Sequence, residues 1–200
     1  MKVKVCGMRD ADNIREVEAL GIDMMGFIFW PRSSRYVSEK PDYLPIYCKR
    51  VGVFVDENIE QVKRTAYEYQ LDMIQLHGHE RPDYIRQLSG RKVIKAFNIA
   101  TSADLEATKP YEGIVDYFLF DTKGKSVGGN GAKFDWTVLA DYVGETPFLL
   151  SGGIGPDDAA RIRCFHHPQL AGIDLNSRFE ITPGLKDINK LKEFIKAIQL

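Results

Sequence analysis

RVGVFVDENIEQVKRTAYEYQ, residues 50–70, holds the unit from which the rest of the chain is read. Its opening run, Arg50–Val55, is nearly continuous in apolar, β-branched and aromatic side chains. That is the composition of a strand buried on both faces rather than one. Asp56 stands where a helix should begin, and Asn58 offers a side-chain cap. Ile59, Val62, Ala66 and Tyr69 then follow at spacings of three, four and three, one face of an amphipathic helix. A doubly buried strand followed by a helix is the building block of a parallel sheet.

The alternation recurs along the chain. Strand-like runs stand at Lys2–Cys6, Met24–Phe29, Arg50–Val55, Met73–Leu76, Lys92–Ala96, Tyr117–Asp121, Pro147–Ser151 and Gly172–Asp174. The first reads as half-buried, because Val3 and Val5 alternate with Lys2 and Lys4. Helices are expected between the runs. Asp10 and Pro156 mark starts, Gly21 and Gly90 mark ends, and Ile188, Leu191, Ile195 and Ile198 form a last apolar face. Such repetition implies parallel pairing through right-handed crossovers. Eight units in 200 residues, with no linker between them, fit a single α/β domain over residues 1–200. A (β/α)₈ TIM barrel with parallel strands accommodates them better than a doubly wound sheet. The Gly-rich stretch TKGKSVGGNGAK at 122–133 is expected to be a mobile loop beside an active site.

Composition excludes several roles. A net charge of −1 gives no reason to expect nucleic acid or an anionic membrane as partner. No uncharged apolar run approaches the ~20 residues that cross a bilayer, and no apolar segment follows the N-terminal lysines. The cytoplasm is the expected compartment. Cys6, Cys48 and Cys164 are odd in number and far apart, without metal-ligand spacing or a disulfide framework. Cys48 and Cys164 are expected within helices as inert small residues.

In a barrel of this kind the C-terminal strand ends carry the chemistry. Cys6 ends the first run, and Gly7 behind it permits a sharp turn and close ligand approach. Arg35 lies in PRSSRYVS, His77 in QLHGHE, and Asp121 closes the sixth run. SGGIGPDD and DLNSRFE follow runs seven and eight. Gly152 and Gly153 expose backbone amides to an anion, and Asn176 and Ser177 are placed to start a short helix whose N–H groups complete a phosphate cradle. Of Arg32 and Arg35, one is read as solvated and one as functional, since an arginine fork suits a carboxylate. His77 is either structural or in touch with substrate; His79, His166 and His167 are read as surface residues. The fifth run ends in KAFN and supplies no metal ligand, so a protonic role is expected for Asp121 and no metal.

Together KVCGM, GFIFWPRSSRYVS, RVGVFVDE, IQLHGHE, LFDTKGKSVGGNGAKFDW, LLSGGIGPDD and GIDLNSRFE resemble the phosphoribosylanthranilate isomerase family, in the family's order and over nearly the whole chain. The resemblance implies a (β/α)₈ barrel without cofactor. It implies an Amadori rearrangement of N-(5-phosphoribosyl)anthranilate, a small-molecule phosphosugar, within tryptophan biosynthesis. It implies Cys6 as general base, Asp121 as general acid and Arg35 on the anthranilate carboxylate. A monomer or homodimer is expected. Arg178 departs from the small residue common in the family, which bears on the phosphate loop. The competing readings are another metal-independent phosphosugar isomerase and a non-catalytic sensor of phosphate ligands. A sensor needs SGG and NS but not Cys6 with Asp121.

Overall fold

The computed structural model describes residues 1–88, 90–121 and 136–199. Eight parallel strands close into a barrel: β1 Lys2–Cys6, β2 Met24–Ile28, β3 Lys49–Phe54, β4 Met73–Leu76, β5 Lys92–Asn98, β6 Tyr117–Asp121, β7 Phe148–Ser151 and β8 Leu170–Leu175. The ring shuts where β8 pairs with β1, Asp174 lying opposite Lys4. The expected barrel is borne out, and three of the expected runs match their strands end to end. The stretch 122–133 lies outside the described residues.

Alternation along the strands separates two cores. Met24, Val51, Met73, Ile94, Leu119 and Leu149 fill the inside of the barrel. Val5, Phe27, Phe118, Phe120, Ile173 and Leu175 point outward beneath the surrounding segments. Phe118, Phe120, Tyr142 and Phe148 meet edge-on or stacked. Burial of each such side chain contributes about 1.5–3 kcal/mol.

The outer layer departs from the expected pattern. Helices α1 Ala11–Glu18, α2 Ile59–Glu68, α3 Pro82–Arg86, α4 Ala159–Cys164 and α5 Ile188–Gln199 are present. Between β2 and β3 the chain runs through turns and bends, with a single bridge from Tyr36 to Ile28. Pro31, Pro41 and Pro45 account for this, each removing a backbone donor and restraining the residue before it. After β5 and in the described part after β6 stand 3₁₀ helices, Ser102–Tyr111 and Trp136–Asp141. Cys48 therefore sits in a bend before β3, not in a helix, whereas Cys164 ends α4 as expected. Asp10 caps α1 by accepting from Asn13 N at 2.9 Å. Asp56 does not start α2; it takes a left-handed turn at φ 50°, and Asn58 is the cap. His167 is half-buried, its Nε2 3.1 Å from the Tyr142 carbonyl, and is not a plain surface residue. No described helix is long and apolar enough to cross a membrane.

After β8 come a 3₁₀ turn, Ser177–Phe179, and a hairpin of β9 Glu180–Thr182 with β10 Leu185–Lys186. Asn13 of α1 clasps Lys186 by both backbone groups, donating to its carbonyl at 3.0 Å and accepting from its N–H at 2.7 Å. This fixes the hairpin against the end of the barrel where Cys6 lies.

Candidate active site

Cys6 is the last residue of β1 and Asp121 the last of β6. In a parallel barrel both therefore reach the same, C-terminal rim, with β7 and β8 between them on one side of the ring. Two glycines make room for the thiol end. A Cβ on Gly26, the residue opposite Cys6 in β2, would stand 2.6 Å from Sγ. Gly7 adopts φ 81°, and a Cβ there would meet Arg35 Cδ at 2.7 Å and Asn176 Oδ1 at 2.9 Å. Only glycine fits both the dihedral and the space.

Below Cys6, on the same inward face, lies Lys4. Val3 and Val5 face outward, so β1 is buried on both faces and the half-buried reading is corrected. Lys4 is wholly buried, and its Nζ donates to Asp174 Oδ1 at 2.8 Å. The Lys4 ammonium also interacts electrostatically with the Cys6 thiol. Burial pushes the Cys6 thiol up; Lys4, and more weakly Lys186, pull it down, while Asp174 pushes it further up. For Lys4 itself burial opposes the charge, but Asp174 and Cys6 together outweigh it and the ammonium is held above its ordinary range.

Arg35 presents its fork to Glu180. Nε donates to Oε1 at 2.8 Å and Nη2 to Oε2 at 2.6 Å. Lys186, fully buried, donates to the same Oε1 at 2.7 Å and to Asn176 Oδ1 at 2.8 Å. Burial alone would lift the Glu180 carboxyl, but Arg35 and Lys186 hold it down at about 2. An internal carboxylate thus occupies one edge of the guanidinium, and Nη1 makes only a long bond to Ser34 Oγ at 3.4 Å.

His77 follows β4 and brings Nε2 to 3.6 Å from Asp121 Oδ2, near but longer than a good hydrogen bond. Its Nδ1 lies 3.3 Å from Gln75 Nε2. Gly152 and Gly153 follow β7 at φ 92° and φ 69°, and the space beyond Gly153 is open. Ser177 opens the 3₁₀ turn after β8 and is exposed; Asn176 turns its side-chain oxygen to Lys186 instead. Arg178 is exposed, its Cβ 3.7 Å from where a Cβ on Gly155 would stand, so it lies along the loop after β7 without crowding it. Among the described residues no group of three or more His, Cys, Asp or Glu is arranged to hold a metal.

Lys4, Asp174, Glu180 and Lys186 escaped the sequence reading. Lys4 had a signal in its parity with Cys6, two residues on. Glu180 and Lys186 belong to a hairpin no periodicity announces.

A closed parallel barrel with a thiol, carboxyls and cations gathered at the C-terminal strand ends defines a (β/α)₈-barrel enzyme. Residues 3–197 match the family model described as N-(5'-phosphoribosyl)anthranilate (PRA) isomerase, and the chain belongs to that family. The N-(5'-phosphoribosyl)anthranilate isomerase of Parabacteroides distasonis is 55% identical over 206 residues, covering 99% of this chain and 93% of the relative. That of Phocaeicola vulgatus is 51% identical over 205 residues, covering 98% and 100%. Among solved structures, the phosphoribosyl anthranilate isomerase of Thermotoga maritima superposes with a TM-score of 0.83 at 31% identity, covering 100% of this chain and 98% of that one. A phosphoribosyl anthranilate isomerase in complex with reduced 1-(o-carboxyphenylamino)-1-deoxyribulose 5-phosphate gives 0.82 at 30%, with the same coverage.

Proposed function

We propose that this chain is an isomerase of tryptophan biosynthesis, converting N-(5-phosphoribosyl)anthranilate to 1-(2-carboxyphenylamino)-1-deoxyribulose 5-phosphate. The full-length family match carries the reading, and a thiol and a carboxyl on one rim support it. Asp121 acts as general acid, protonating the ribose ring oxygen so that the C1′–O bond opens to a Schiff base. Cys6 acts as general base: the C2′–H bond breaks, its proton passes to sulfur, the electron pair forms the C1′=C2′ bond, and the C=N π pair moves onto nitrogen to give an enolamine. Tautomerisation of the enolamine yields the ketone. Each proton transfer contributes about 10²–10⁴-fold.

The substrate's two ends position the sugar. Its phosphate meets the backbone of Gly152 and Gly153 and the start of the turn at Asn176 and Ser177, between β6 and β1. The anthranilate carboxylate approaches the edge of Arg35 that Glu180 leaves open. His77 contacts substrate through the side turned toward Asp121. No cofactor or metal takes part in these steps. The whole of residues 1–200 serves as one catalytic domain, as monomer or homodimer, in the cytoplasm. A solved relative from Thermotoga maritima is described as a dimeric enzyme from which monomers were generated.

The test follows the loss of phosphoribosylanthranilate fluorescence with purified wild type and Cys6→Ser. Turnover by wild type that is lost in the variant supports the assignment. A wild type that binds substrate without consuming it favours the sensor.

A further inference from the structure

We propose that Lys4 is a positioning residue for Cys6: its ammonium, anchored on Asp174, faces Sγ and compensates the negative charge the sulfur must carry as a base. The inference deepens the proposed reaction and rests on Cys6 as its base.

Three observations carry it. Lys4 and Cys6 stand two apart on the inward face of β1, so the strand itself turns both into the same side of the barrel interior. Lys4 is fully buried and Asp174 nearly so, their charged atoms 2.8 Å apart. An aliphatic pair would fill this part of the barrel at lower desolvation cost, so a buried ion pair here calls for another use. The third observation is the charge count. The groups facing Cys6 are Lys4 from the same strand, Asp174 from β8, Lys186 from β10 and Arg35 from the segment after β2. With Glu180, which binds Arg35 and Lys186, the cluster has three cations and two carboxylates. One more anion neutralises it, and Sγ is the group at its centre that can supply that anion. Of the cations, Lys4 acts on the thiol more strongly than Lys186 does.

The experiment titrates Cys6 without substrate. Full-length wild type, Lys4→Met and Asp174→Asn are alkylated with iodoacetamide across pH, and modification is read by mass on the peptide carrying Cys6. Lys4→Met should move the pH midpoint up by about one unit, an alkylation about 10-fold slower at neutral pH. Asp174→Asn removes the anion and keeps the ammonium, so its midpoint should move down. A merely structural role for the pair predicts shifts in the same direction or none, and either result overturns the inference. If Lys4→Met does not fold, Asp174→Asn decides alone: a midpoint unmoved or raised overturns the inference. The double variant Lys4→Met/Asp174→Asn should lie above wild type, because Lys4 acts on the thiol more strongly than Asp174. A chain inactive on phosphoribosylanthranilate that still shows opposed shifts refutes the proposed function while leaving the electrostatic role of Lys4 in place.

Discussion

Replacing Glu180 by Gln tests whether the clamp beside Cys6 is electrostatic. The carboxylate is 4% exposed and accepts three hydrogen bonds from Arg35, one from Lys186 and one from the Gly184 N–H at 3.1 Å. Its pKa falls from 4.5 to about 2 on folding. At about 1.4 kcal/mol per unit, ionised Glu180 contributes about 3 kcal/mol near neutral pH. The shift is downward, so the contribution is complete above pH 4.5 and is lost as pH falls toward 2. Integrating the linkage leaves less than half of it near pH 3, a loss of about 2 kcal/mol between pH 5 and pH 3. Urea unfolding of wild type and Glu180→Gln, followed by tryptophan fluorescence at pH 7, 5, 4 and 3, reads this directly. Titrations elsewhere cancel in the difference between the two proteins. The gap should be about 3 kcal/mol at pH 7 and shrink steeply below pH 5. A gap that stays constant or widens on acidification would refute the reasoning.

Cys6→Ser and Asp121→Asn should each lower kcat by at least about 10²-fold with circular dichroism unchanged; near-normal turnover in either removes that residue from the mechanism. Since burial raises the Cys6 thiol, kcat/KM should still be rising with pH at about 8.5, the ordinary thiol value; a rising limb complete by pH 7 would contradict a buried thiol base. Arg35→Ala should chiefly raise KM, and an unchanged KM speaks against its carboxylate role. Burial pushes the Cys48 thiol up to about 12 while Cys164 is exposed, so a thiol reagent at pH 8 should label Cys164 and spare Cys48. Equal labelling would contradict the raised pKa of half-buried Cys48.

Much of the barrel was legible because its strands are buried on both faces and break off at Gly, Asp and Pro. VGVFV and YFLF have no other comfortable place than a parallel sheet. The rim residues followed from strand ends alone, since the fold dictates which end carries function. Lys4 was hidden for a physical reason. An alternation of lysine and valine describes a half-exposed strand equally well until closure of the ring turns the lysine inward. The absence of a helix between β2 and β3 follows from Pro31, Pro41 and Pro45, whose effect on backbone hydrogen bonding is local and readable. Glu180 and Lys186 lie in strands of three and two residues, too short for any periodicity to register, and their partners sit across the molecule.

The seam between β1 and β8 also sets a timetable. Lys4 is made 170 residues before its counter-ion, Asp174, and the clamp on Arg35 is completed only by Lys186. A nascent chain leaving the ribosome therefore carries an unmatched internal cation until β8 has emerged. Closure of the ring and pairing of that cation become one event, and a chain cut short before β8 would possess neither.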